Sequence, residues 1–99
     1  MLFKLLDGVD RADPRVKDVV NRLAALSDTI PELRSWTVGP NVKAGPRAYD
    51  LALVGDVDDL DALARYIEHQ DHQALLPAVD ELFTRVVVDL EMPSPLDTP

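Results

Sequence analysis

His69 and His72 lie three residues apart, with Gln70 and Asp71 between them and Tyr66 three residues before. Imidazole exchanges a proton near neutral pH, so it can act as acid, base or metal ligand. As a metal site, the pair and Asp71 lack a dedicated further ligand, and no bound metal is expected. The run Asp56, Asp58, Asp59, Asp61 superficially resembles a calcium loop. It lacks the glycine and the distal bidentate glutamate, and reads instead as a solvated helix start. No phosphate-binding glycine loop and no serine-nucleophile motif occurs. Trp36 is the single tryptophan. On a strand beside Val38 it could fill the core, an interface between copies or a pocket wall, with core or interface favoured. Read from the residues alone, Tyr66 packs on the flank of a helix with its hydroxyl wet. His69 then ends that helix and His72 hydrogen-bonds at the start of the next.

The elements that must position these residues follow from periodicity and punctuation. Leu2 to Leu6 reads as a strand closed by Asp7-Gly8. Asp13-Pro14 is a helix start, a capping carboxylate before a proline at the first helical position. Val16, Val19, Val20, Leu23 and Leu26 then recur at helical spacing opposite Arg15, Lys17, Asp18 and Arg22, which predicts a helix from about 14 to 27. After the break at Ile30-Pro31, Leu33 to Val38 reads as a strand with Arg34, Trp36 and Val38 on one face. Residues 41–47 read as a loop, and Ala48 to Val57 as a third strand. In that strand Tyr49, Leu51 and Leu53 face one way, Ala52 and Val54 the other. A second helix is expected to bury Leu60, Leu63, Ala64 and Ile67. His69 to His72 interrupts it, with Asp71 a candidate cap. Leu75, Leu76, Val79, Leu82 and Phe83 resume helical spacing, with Pro77 expected to kink or restart the segment. Arg85 to Glu91 reads as the last strand, centred on Val86-Val87-Val88. Residues 92–99, rich in proline, read as a disordered tail.

This order, β-α-β-β-α-(α)-β, is that of an α+β, ferredoxin-like split βαβ domain over residues 1–91, with a four-stranded antiparallel sheet and helices on one face. Helices cover only one face of such a sheet. Because the third and last strands are apolar on both sides, a second copy is expected on the other face, giving a face-to-face homodimer or shared barrel.

The bulk numbers narrow the partners. A 99-residue chain makes one small, marginally stable domain. It has 10 Lys and Arg against 18 Asp and Glu, a formal net charge of −8, which repels a polyanion; nucleic acid is not an expected partner. The absence of cysteine excludes disulfides and thiolate metal sites. No stretch reaches the roughly 20 apolar residues that span a bilayer, and Met1 to Asp7 is too short and too soon acidic for a signal peptide. No membrane association and a cytoplasmic location are therefore expected.

Taken in order, Leu2-Phe3-Lys4-Leu5 with Asp7-Gly8, Ile30-Pro31, Leu33 to Gly39, Tyr49 to Val54, Leu63 to His69, Asp71-His72 and Arg85 to Asp89 resemble the stress-responsive α/β-barrel family, the dimeric α/β-barrel or Dabb proteins. The resemblance runs from residue 2 to 91. It implies a ferredoxin-like fold and a homodimer whose sheets close into a barrel. It implies no particular reaction for most members, some of which are linked to stress responses in plants. One branch cyclises linear polyketides by aldol condensation without a cofactor, in a pocket between sheet and helices. By resemblance to that branch, Tyr66 and His72 match the catalytic pair and His69 a further histidine of the motif. An aldol closure needs a base beside a carbonyl and a donor for the enolate, which histidine and tyrosine can supply. Such an enzyme needs an apolar pocket of a few hundred cubic ångströms. Members often carry another histidine just before the segment matching Leu2-Phe3, and this sequence, beginning at Met1, has no residue there. The expected function is thus a homodimeric barrel protein that binds a small apolar molecule, with Tyr66 and His72 as catalytic candidates and His69 and Trp36 as substrate-binding candidates. The alternative is a cofactor-free enzyme: a polyketide (aldol) cyclase, or a related small-molecule lyase or monooxygenase.

Overall fold

A computed structural model describes residues 1–92; the tail expected over 92–99 lies outside the described residues from residue 93 onward. The chain forms β1 (Leu2–Leu5), α1 (Pro14–Thr29), β2 (Ser35–Pro40), β3 (Leu51–Asp56), α2 (Leu60–Glu68), α3 (Gln70–Asp80) and β4 (Phe83–Val86). The strands make one antiparallel sheet in the order β2-β3-β1-β4, the ferredoxin-like arrangement. Helices cover one face only, and the molecule is 17 Å across its thinnest dimension. Among the described residues no helix is long and apolar enough to cross a membrane.

α1 starts where its chemistry allows. The Asp13 carboxylate accepts the Arg15 amide and Pro14 occupies the first turn, so two of the orphan N–H positions cost nothing. Val16, Val19, Leu23 and Leu26 are buried along one stripe, as their spacing requires. They pack with Phe3, Leu51, Leu53, Leu75, Val79, Leu82 and Phe83 into a single core. The two phenylalanines meet edge to face across the β1–β4 pair, ring centroids 5.8 Å apart, a favoured aromatic geometry.

β1 is only partly laddered to β3, through Leu2 opposite Ala52 and Phe3 opposite Leu51. Beyond that point Asp50 extends the pairing. Its backbone N–H donates to the Phe3 carbonyl, and its carboxylate accepts the Leu5 amide at 2.7 Å. At the other end, the Met1 ammonium donates to the Leu53 carbonyl at 2.9 Å.

The structure corrects the sequence reading in four places. On α2 the buried residues are Ala62 and Tyr66, with Leu63 partly buried, whereas Leu60, Ala64 and Ile67 are exposed. The helix is turned so that its aromatic ring, with the larger area to bury, faces the core. α3 is capped by the His69 side chain, not by Asp71, which sits in its first turn. Pro77 lies inside an unbroken α3 on the exposed side. β4 begins at Phe83 and ends at Val86. Leu82 and Phe83 are therefore past the helix, and Val87 to Leu90 lie beyond the strand and exposed. Local periodicity misplaced that boundary because Leu82 and Phe83 are buried in either conformation.

Asp50→Ala removes the acceptor of the Leu5 amide without emptying the core. The expected cost is about 1–3 kcal/mol, that of an unmade hydrogen bond at a partly buried site. Urea unfolding measures it; a change below about 0.5 kcal/mol would mean that water replaces the carboxylate.

Candidate functional site

α2 and α3 are separated by a single non-helical residue, His69. This break sets the site. His69 has extended-type backbone angles and its Nδ1 accepts the Asp71 amide at 3.1 Å, so here Nδ1 must carry a lone pair. His72 has the opposite tautomer. Its Nδ1 lies 2.8 Å from the Ile67 carbonyl oxygen. A carbonyl only accepts, so Nδ1 carries the proton and the lone pair of neutral His72 sits on Nε2. Gln73 donates to the same oxygen at 2.6 Å, holding the end of α2 against the start of α3.

Tyr66 and His72 meet across this junction with ring centroids 4.6 Å apart. Both are nearly buried, at 9% and 8% exposure. Behind Tyr66 stands Trp36, edge to face at 5.6 Å. Its Nε1–H donates to the Leu23 carbonyl of α1 at 2.9 Å. Tyr66 and His72 also line a cavity between helices and sheet, with Met1, Phe3, Leu23, Leu53, Leu75, Leu76, Val79 and Arg85. Its volume is about 10 Å³, room for about one water. That is far below the few hundred cubic ångströms a polyketide-sized ligand needs. The partly exposed lining residues Met1, Leu76 and Arg85 form its rim. Of the residues singled out from sequence, Tyr66 and His72 thus share the cavity wall, Trp36 packs against Tyr66 from outside it, and His69 caps α3 away from it.

Burial pushes the Tyr66 phenol above its usual pKa, and the nearby Asp89 carboxylate pushes the same way, while Arg85 opposes them. The hydroxyl therefore stays protonated at neutral pH and remains a hydrogen-bond donor. Among the described residues it makes no hydrogen bond, and no group of three or more His, Cys, Asp or Glu side chains could hold a metal ion.

Two contributors escaped the sequence reading. Gly55 lies opposite Trp36 in the β2–β3 ladder. A Cβ at Gly55 would lie 2.5 Å from the indole, so only glycine lets the ring cover the strand there. An isolated glycine inside a strand was the available signal. Arg85 reaches the site because strand alternation puts it on the same face of β4 as the buried Phe83, opposite Phe3.

Gly55→Ala is expected to displace the indole, costing about 1–3 kcal/mol, with a shift in the emission of Trp36, the only tryptophan. Unchanged stability and emission would show that the ring is not fixed by this contact. Absorbance titration should find one tyrosine that ionises later than free tyrosine and is lost in Tyr66→Phe. Because the folded-state pKa lies above the unfolded one, this group's stabilising contribution is complete below the unfolded value and declines as pH rises towards the folded one. A titration from which Tyr66→Phe removes no late-ionising group would remove the effect.

Comparison with known proteins places this geometry. Residues 1–92 match the family described as the stress responsive A/B barrel domain. An uncharacterized protein of Streptomyces coelicolor is 46% identical over 91 residues, which cover 92% of this chain and 94% of that protein. A crystal structure of a dimeric ferredoxin-like protein of unknown function from Thermobifida fusca superimposes with a TM-score of 0.72 at 31% identity, covering 85% of this chain and 77% of that one. A dimeric protein of unknown function and ferredoxin-like fold from Bacteroides fragilis gives 0.68 at 30% identity, covering 85% and 82%. An Arabidopsis thaliana protein gives 0.75 at 21% identity, covering 94% and 91%, a likeness of fold alone. The match over residues 1–92 and the ferredoxin-like sheet agree, and the chain belongs to the stress-responsive α/β-barrel family.

Proposed function

We propose that the protein works as a homodimer joined through the open faces of its two sheets, and that each protomer binds a small apolar molecule between helices and sheet at Tyr66 and His72. No reaction is assigned to it. The dimer rests on one observation above all: the helix-free face of the sheet carries an uncovered apolar patch, bordered by Lys4, Thr37 and Thr84. Leu2 stands opposite both Ala52 and Val86 across three strands, and Val54 adjoins them on β3. Leu2, Val54 and Val86 are 44%, 64% and 50% exposed. Val87, Val88 and Leu90, past the end of β4, are exposed as well. A contiguous patch of this kind is unusual on a monomer and typical of an interface. The dimeric relatives from T. fusca and B. fragilis support this reading. We place the protein in the cytoplasm and without a nucleic-acid partner, a reading supported by its formal net charge of −8.

The ligand reading is supported by the apolar lining, broken only by Tyr66, His72 and Arg85, the composition of a small-molecule site. With about 10 Å³ of free volume, the cavity takes a ligand only when rim side chains swing out. A second reading, a cofactor-free enzyme of the aldol-cyclase kind, draws on the tautomer of His72. Its Nδ1–H is anchored on the Ile67 carbonyl, which leaves Nε2 as the base, beside a protonated Tyr66 hydroxyl able to donate to an enolate oxygen.

Sedimentation should find a dimer for the wild-type chain and a folded monomer for the double variant Val54→Lys, Val86→Lys. A monomeric wild-type chain at high micromolar concentration would sink the assembly. Octanol should raise the melting temperature of the wild-type protein and leave Leu76→Trp, in which the cavity rim is plugged, unaffected. Turnover of a linear polyketide that is abolished in a folded His72→Ala dimer would establish the enzymatic reading, and turnover that survives the change would remove His72 from it.

A further inference from the structure

Arg85 is a cation on the wrong face of the sheet. Strand alternation from the buried Phe83 turns it towards the helices, where it lines the cavity with Tyr66, His72 and seven apolar or aliphatic neighbours. Turning a guanidinium towards an apolar layer is costly unless a partner compensates it. Its partner in the protein is weak. Nε lies 3.3 Å from Asp80 Oδ1, and the Asp80 side chain is 56% exposed against 30% for Arg85. Among the described residues neither terminal nitrogen of the guanidinium donates a hydrogen bond. Among the described residues, then, Nε alone is paired, and the two terminal nitrogens face the cavity rim without a protein acceptor.

We propose that the ligand of this cavity carries a carboxylate, or an oxyanion of the same shape, at one end of an apolar body, and that Arg85 holds this head group. The inference rests on reading the cavity as a ligand site. A guanidinium fork matches a carboxylate by two parallel charged hydrogen bonds, which a lysine or a neutral donor does not reproduce. Phe3, Leu53, Leu75 and Val79 line the space that opens to the body once Met1 and Leu76 swing out, and their low polarity strengthens the ion pair at the rim. Tyr66, on the same cavity wall, supplies a second donor through its hydroxyl. Two acidic groups oppose an anion here, Asp80 and Asp89. Both are exposed, so solvent and salt screen them more than they screen the head group at the rim.

The test is calorimetric titration of the full chain near neutral pH with octanoate, octanol and octylamine, which share one apolar body and differ in charge. Octanoate should bind at least about 10-fold more tightly than octanol, as charged bidentate hydrogen bonds do over neutral ones, and octylamine most weakly. In Arg85→Met, octanoate should fall to the level of octanol while octanol binding persists. Asp80→Asn frees the guanidinium and should tighten octanoate several-fold. Asp18→Asn makes the same charge change at an exposed position of α1 outside the cavity lining, and should not. If Arg85→Met fails to fold, the three-ligand series and Asp80→Asn decide. Equal binding of octanoate and octanol, or an octanoate preference that survives Arg85→Met, overturns the assignment to Arg85 and leaves the apolar cavity standing. No binding of any of the three overturns both.

Discussion

The indole of Trp36 ties together three elements that would otherwise meet only through aliphatic contact. It reaches over Gly55 on the neighbouring strand, donates to a carbonyl in the middle of α1 and presents an edge partner to Tyr66 on α2. Hydrogen bonding satisfies its one polar atom, so its large ring can be buried at little polar cost. Tyr66 is held by this contact on one side and by His72 on the other. The series Gly55, Trp36, Tyr66, His72 thus runs from the sheet through α2 to α3, and the cavity lies at its end.

The one-sided layering has a price in exposed apolar surface. All the core residues belong to the space between helices and sheet, and the opposite face leaves Leu2, Ala52, Val54 and Val86 uncovered beside Lys4, Thr37 and Thr84. For a chain of this size a single thin core offers limited stability, and the open face is where further burial is available. The two faces therefore have different tasks. One fixes the fold and holds the cavity, while the other is free to be buried by association. A small molecule in the cavity and a partner on the sheet would bear on the same strands from opposite sides, since Leu2 and Phe3 alternate between the two faces of β1.

The break between α2 and α3 decides the chemistry available at the cavity. A single residue out of helix lets His69 spend its lone pair on the Asp71 amide and lets His72 spend its Nδ1 proton on the Ile67 carbonyl. Two identical side chains three residues apart are thereby given opposite tautomers. One is consumed by capping, and the other keeps Nε2 free next to a phenol that burial holds protonated.

Much of the architecture was legible in the residues. Asp13-Pro14 and the Val16 to Leu26 stripe define α1 because capping and a period of 3.6 are local properties. The order of elements and the alternation of Leu51 with Ala52 fix a one-sided sheet with a second apolar face, since strand period and layer packing leave no other cover. The pairing of Tyr66 with His72 followed from resemblance, and the break at His69 between α2 and α3 brings their rings together. What the sequence could not decide was set by contacts distant along the chain. The rotation of α2 that buries Tyr66 in place of Ile67 depends on Trp36, 30 residues earlier. The early start of β4 depends on the pairing of Phe83 with Leu5. Arg85 joins the cavity only as a consequence of that register. The size of the cavity depends on how closely side chains from β1, β3, α1 and α3 interlock. Periodicity tells which face a residue takes, but tertiary packing alone tells how much space remains between two faces once they have met.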